Sequence, residues 1–380
     1  MRAAASTSDL RVRGARFALA ALAAALLALA AAPTAGAVPA KFWGVVPQTN
    51  PSQAEFERLK RGGVDSLRIP IAWGSVQPTP NGPQVWSLVD PLVFGAAAVG
   101  IEVFPFLYGA PEWAVPPVRA IGSHPPRYLP VRTGAQRSGW KRFLRAAALR
   151  YGPRGSFWRE NPGLRKQPIR FWQIGNEVNF KYFVARPNPG EYGKLVKLSY
   201  AALKSADKGA RLILSGLFAR PKEALRKKGP REAYFATEFL EQMYRRSPGV
   251  KRKFHGVALH PYTGTWKRLP RYIREFRAVL QKFRDAGKGL YLTELGWSSQ
   301  RPSRNNSFAK GRKGQARELK GAFRLLRNNQ RRWRLRRVHW FSVGDQRGAC
   351  NFCDGSGLFG EGFVPKPSWF AYARLAGGRP

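Results

Sequence analysis

Arg61-Gly62-Gly63-Val64-Asp65-Ser66-Leu67-Arg68-Ile69-Pro70-Ile71 contains the unit on which the whole chain is built. An amphipathic stretch, Pro51 to Arg61, precedes it and reads as a helix. The two glycines stop that helix, because Gly tolerates the left-handed conformation that closes a helix end. A β-branched run, Ser66 to Ile71, then reads as a strand. The same order recurs from Lys41 to the C-terminus, with strands expected at Phe42 to Val46, Ile101 to Leu107, Ile169 to Ile174, Arg211 to Ser215, Gly256 to His260, Leu290 to Glu294 and Val338 to Val343. Helices are expected at Leu88 to Ala98, Ser138 to Tyr151, Glu191 to Ala206, Arg231 to Tyr244, Tyr272 to Asp285, Gly314 to Asn328 and Pro367 to Ala373. Strict strand–helix alternation means a parallel sheet, and about eight strands is the number that closes a (β/α)8 TIM barrel. An open doubly wound sheet would carry a Gly-rich turn after its first strand. Here that turn reads Val46-Pro47-Gln48-Thr49-Asn50-Pro51.

Composition agrees with a large core. Of 380 residues, 44% are hydrophobic and 13% aromatic, which excludes a disordered chain. Two Cys exclude a disulfide scaffold, and four scattered His with two Cys argue against a structural zinc cluster. Residues 1–37 read as a signal peptide. Arg11, Arg13 and Arg16 precede an apolar run from Phe17 to Ala32, followed by Pro33 and the small-residue site Ala35-Gly36-Ala37. The run falls short of the ~20 residues a membrane span needs, so cleavage after Ala37 and a secreted product without a transmembrane span are expected. Residues 38–380 then form one catalytic-size domain. Without the leader the balance is 62 basic to 21 acidic residues. Such a field attracts polyanions in general, anionic cell-envelope polymers among them, and points to no specific nucleic acid. The basic clusters, Arg220 to Arg231, Lys251 to Lys253 and Arg331 to Arg337, read as solvated surface.

Two carboxylates stand where barrel enzymes keep their chemistry. Glu177 closes the fourth strand in Phe171-Trp172-Gln173-Ile174-Gly175-Asn176-Glu177, and Glu294 closes the seventh in Leu290-Tyr291-Leu292-Thr293-Glu294-Leu295-Gly296-Trp297. Acidic residues are scarce in this chain, and burying two at the C-terminal ends of apolar strands is costly unless the site uses them. A pair of carboxylates is what glycoside hydrolysis requires, one as acid and one as nucleophile or base.

With Asn176-Glu177, His260-Pro261-Tyr262, Thr293-Glu294-Leu295-Gly296-Trp297, Trp340 and Arg68 in order, the sequence resembles the retaining β-glycosidases of glycoside hydrolase clan A, families 5 and 39 especially. The resemblance covers essentially the whole mature chain. It implies Glu177 as acid/base, Glu294 as nucleophile, no cofactor and no metal. Arg68 and the Tyr262 hydroxyl would donate to Glu294 and keep it ionised, while aromatic surroundings let Glu177 hold its proton longer. Asn176 would bond the sugar 2-hydroxyl, and His260 would orient a sugar hydroxyl or the acid/base. Trp340 and Trp113 would be sugar platforms, and Asn179 would line the site. Cys350 and Cys353, in a C-x-x-C after strand eight, are expected to form a disulfide in an exported protein. Transglycosylation on the same residues, and a non-catalytic envelope-binding barrel, are the competing readings.

Overall fold

The computed structural model describes residues 38–116, 127–222, 232–348 and 352–380. The leader, Cys350 and most of the basic stretch from Arg220 to Arg231 lie outside the described residues. The eight strands are β1 (Trp43–Val46), β2 (Ser66–Ala72), β3 (Glu102–Tyr108), β4 (Phe171–Asn176), β5 (Arg211–Phe218), β6 (Gly256–His260), β7 (Gly289–Leu295) and β8 (Leu335–Phe341). All neighbours pair in parallel, and β8 closes on β1 through Trp43 to Val338 and Val46 to Phe341. The sheet is a closed eight-stranded barrel, as the alternation predicts.

The flanking helices are α1 (Gln53–Arg61), α2 (Trp73–Val76), α3 (Asp90–Val99), α4 (Gly134–Tyr151), α5 (Ser156–Glu160), α6 (Pro189–Ala206), α7 (Ala236–Arg246), α8 (Leu269–Lys282), α9 (Gly311–Asn328) and α10 (Pro367–Ala376). Their starts are chemically marked. Ser52 with Glu55 and Thr133 with Gln136 form reciprocal capping boxes at α1 and α4, satisfying amides that the first turn leaves unpaired. α8 begins three residues earlier than expected because Pro270 sits in its first turn, where a fixed φ and a missing N–H cost nothing.

Side chains alternate across the barrel wall. On β2, Leu67, Ile69 and Ile71 are fully buried on the helix side, while Ser66 and Arg68 meet lumen partners. The lower lumen is plugged by Phe104, Ile213, Ala258 and Tyr291 from β3, β5, β6 and β7. Arg337 is inserted among them over the Phe104 and Phe171 rings, paired with Glu102 and donating to Ser66 Oγ at 3.0 Å. The lumen therefore opens only at the C-terminal ends of the strands.

Candidate active site

Above that plug, Arg68 organises the upper layer. It is fully buried and spends every nitrogen on a side chain from another strand: Nε on Gln173 Oε1 at 2.8 Å, Nη1 on Glu294 Oε1 at 2.7 Å, and Nη2 on Asn176 Oδ1 at 2.6 Å. Its carbon lies 4.1 Å from the Phe106 ring centroid. A guanidinium stacked on an aromatic face and bonded in its plane has very little freedom left. Tyr262 donates to the other oxygen of Glu294 at 2.8 Å.

Asn176 and Glu294 reach the lumen through departures from strand alternation. On β4, Gln173 faces inward and Ile174 outward, so Asn176 should also face the helices. Gly175 instead adopts φ +83°, and Glu177 itself takes φ +41°. These left-handed steps turn Asn176 and Glu177 together toward the mouth. A non-glycine residue in that region costs about 1–3 kcal/mol, borne here by the surrounding bonds. On β7, Tyr291 and Thr293 face inward, and a register shift against β8 between Leu292 and Leu295 brings Glu294 to the same side.

A chain of hydrogen bonds fixes the imidazole tautomer. Gln173 Oε1 accepts from Arg68, so its Nε2 is the donor to Leu214 O at 3.1 Å and to Thr293 Oγ1 at 3.2 Å. The Thr293 hydroxyl proton is then free for His260 Nε2, 2.9 Å away. That leaves His260 Nδ1–H to donate to Glu177 Oε1 at 2.7 Å. Burial, with Arg68 and His339 nearby, holds His260 well below its usual pKa, so the imidazole is neutral. When Glu177 is protonated, Oε1 is the accepting oxygen and the proton sits on Oε2. Gly216 is the spacer that admits this ring, since a Cβ there would collide with His260 Nε2 and Thr293.

The environments of the two carboxyls differ. Burial, reinforced by the charge of Glu294, pushes Glu177 well above the carboxylate range. Burial also raises Glu294, but Arg68 and the Tyr262 hydroxyl oppose the rise, so Glu294 is the first to ionise. Tyr262 itself is driven up by burial and by both carboxylates, and stays a phenol donor. One oxygen or nitrogen from each of Glu177, His260 and Glu294 lies within 4.8 Å of the others. That spacing could admit a cation, but the donor set does not suit one: Arg68 already supplies the charge opposite Glu294, and both His260 nitrogens are engaged.

Of the residues singled out in the sequence, Arg68, Asn176, Glu177, His260, Tyr262 and Glu294 meet at this site. Two others, Trp340 and Asn179, lie elsewhere. Trp340 is fully buried and faces away from the lumen, its Nε1 donating to Ser356 O at 3.0 Å and its ring packed on Trp297 and Phe323. Its neighbours His339 and Phe341 face inward, so by strand parity the residue between them faces the helices. The lumen aromatic on β8 is Phe341, 6.4 Å from Tyr262. Asn179 does not line the site either. Its amide is consumed by Phe218 N–H, Phe218 O and Tyr234 O, clasping the loop after β4 to its neighbours. Trp113 is half-buried at the strand C-terminal end, edge-on to Trp73 and tied to Gln77 O at 3.1 Å. Sequence reasoning missed Gln173 and Thr293, whose signal was a polar side chain inside an apolar strand, and the wall of Phe308, Phe341 and Phe352 around Tyr262. Cys353 is disulfide-bonded.

No protein-family model and no curated protein sequence matches the chain. Solved structures do match in fold. A family 39 glycoside hydrolase from the gut symbiont Bacteroides cellulosilyticus WH2 superposes with a TM-score of 0.60 at 20% identity, over 89% of this chain and 64% of its own length. A monomeric β-xylosidase from Caulobacter crescentus gives 0.59 at 19% identity, over 89% and 69%. An intracellular xylanase from Thermoanaerobacterium saccharolyticum gives 0.56 at 15% identity, over 88% and 95%. The chain thus spans just under two thirds of the first of these, and what it shares with all three is the barrel.

Proposed function

We propose that this protein is an exported, retaining β-glycoside hydrolase of the family 39 kind. One observation carries the reading: two buried carboxyls, within 4.8 Å of each other by their nearest named atoms, sit in environments that keep one protonated and let the other ionise. Inverting enzymes need about 6.5–9.5 Å between carboxyls to admit a water, whereas retaining enzymes hold them about 5–5.5 Å apart. In the first step Glu294 attacks the anomeric carbon while Glu177 gives its Oε2 proton to the leaving oxygen, breaking the glycosidic bond and forming a glycosyl ester. In the second, Glu177 takes a proton from water, water displaces Glu294, and both groups return to their starting states. Asn176 Oδ1 accepts from Arg68, which leaves Nδ2, without a partner among the described residues, to donate to the 2-hydroxyl, an interaction that strengthens as charge develops.

The solved neighbours named for xylosidase and xylanase activity put β-xylosides first among substrates to try. A panel of aryl β-glycosides and β-linked polysaccharides, run beside Glu294→Gln and Glu177→Gln, tests the reading. Polysaccharide hydrolysis lost in both variants, with the β-anomer as the parent's first product by NMR, supports it; turnover unchanged in both overturns it. Export rests on the sequence of residues 1–37, and no described helix is long and apolar enough to cross a membrane. A mature N-terminus at Val38 in the medium supports that part, and retention of the full chain in the cell overturns it.

A further inference from the structure

Basic residues are distributed unevenly over the barrel. The four joints leading into β5, β6, β7 and β8, residues 204–211, 245–255, 282–289 and 327–336, hold 16 Lys or Arg against two acidic residues, Asp207 and Asp285. They lie at the strand N-terminal end, opposite the catalytic mouth, where the loops after β3, β5 and β8 mix their basic residues with acidic ones, Glu112, Glu232, Asp345, Asp354 and Glu361 among them. Strands β5 to β8 are consecutive in the closed sheet, so these joints are neighbours, and they touch. Lys288 Nζ donates to the carbonyls of Lys251 at 2.9 Å and Phe254 at 2.7 Å, and Arg334 Nε to Gly287 O at 3.1 Å.

A neutral carbonyl positions a cation without cancelling its charge. Three of the sixteen are ion-paired, Arg245 and Lys282 with Glu241 of α7 and Lys288 with Asp285 at 3.8 Å, and the two acids are shared further, Asp207 accepting from the Gly209 amide and Asp285 from the Tyr244 hydroxyl. The resulting field is felt by half-buried His255 within the patch, drawn down to about 4 by burial first and then by Lys204, Lys288 and Arg211. Self-repulsion on this scale opposes folding unless counter-charge is supplied from outside. The face also lacks a stacking platform: its aromatics, Phe254, Phe283 and Trp333, are buried or half-buried. Nucleic-acid surfaces that hold single strands combine positive charge with exposed aromatic rings. A polymer of phosphate groups without bases needs only the charge.

We propose that the strand N-terminal end of the barrel, over β5 to β8, is a docking face for a phosphodiester polyol polymer of the cell envelope. Docking there turns the catalytic mouth away from the anionic polymer and toward neighbouring glycan. The choice of an envelope polymer rests on the exported reading above; the charge asymmetry does not.

The test measures binding of the mature protein to poly(glycerol phosphate), single-stranded DNA and a neutral polysaccharide across a salt series. One variant carries Lys251→Gln, Arg252→Gln, Arg331→Gln and Arg332→Gln. A charge-matched control carries Lys141→Gln, Arg142→Gln, Arg301→Gln and Arg304→Gln, all exposed positions elsewhere. Expected are salt-sensitive binding to poly(glycerol phosphate), roughly tenfold or more weaker in the first variant and little changed in the control, with a shallower salt slope. Equal losses in both variants, no binding, or tighter binding to DNA would overturn the proposal. Aryl glycoside hydrolysis is assayed on the same samples and should survive in the first variant. In the parent protein, absent binding with intact hydrolysis sinks only the docking face, and intact binding without hydrolysis sinks only the glycosidase reading.

Discussion

Arg68 and Arg337 are both buried in the barrel lumen, each paired with one glutamate and each laid on a phenylalanine ring, yet they serve opposite ends. Arg337 and Glu102 complete a plug. Their bonds end on Ser66 and on each other, and Glu102 sits at the rim, where water can reach it. Arg68 sits beneath a carboxylate whose second oxygen is held by a phenol and whose charge, after burial, helps push neighbouring Glu177 well above the carboxylate range. An ion pair becomes a site when its acidic member is positioned from below and left approachable from above.

The contrast can be broken most directly at the two glutamates. Glu294→Gln should lower kcat for aryl β-glycosides on the order of 10⁴-fold or more, while Glu102→Gln leaves kcat near the parent value. Comparable losses would mean that the plug takes part in catalysis. The arginines come next. Arg68→Met strands a buried carboxylate, an expected loss of about 3–5 kcal/mol by denaturant titration together with loss of activity. Arg337→Met releases a carboxylate that water can reach, so about 1–3 kcal/mol is expected with kcat/KM retained.

The pH profile sharpens the same difference. Glu294 must lose its proton and Glu177 must keep one, so activity rises as pH passes the raised value of Glu294 and falls as it passes the still higher value of Glu177. Glu177→Gln, assayed with an activated leaving group, should abolish the alkaline limb and keep the acidic one. The smallest effect concerns Thr293→Val, which removes the hydroxyl that sets the His260 tautomer. Roughly tenfold in kcat is expected, with KM and thermal midpoint near the parent values. An unchanged kcat would mean that Glu177 does not depend on this chain of bonds.

Most of the barrel was legible because strand–helix alternation is a pattern of composition: all eight strands lie within a few residues of where their β-branched runs place them. The two glutamates stood out as scarce acids at strand ends, expected to point into the mouth. How Glu294 and its neighbour Asn176 come to do so was not legible. Period-two alternation turns both toward the helices, and the left-handed Gly175 and the shifted β7–β8 register bring them inward. Trp340 failed for the same reason, since in a barrel wall both faces are apolar and residue type does not reveal parity. Asn179 shares the Asn-Glu neighbourhood, yet its amide meets three backbone groups that sequence cannot place beside it.

The bonds of Arg68 run to partners 105, 108 and 226 positions away in the chain. The bond to Glu294 cannot exist in a half-assembled barrel, because it waits for β7 to arrive. Long-range pairing of this kind is slow to form. On refolding, helical signal should therefore return before turnover does, and the first hydrolysed bond would mark the moment at which β7 had found its place across the barrel from β2.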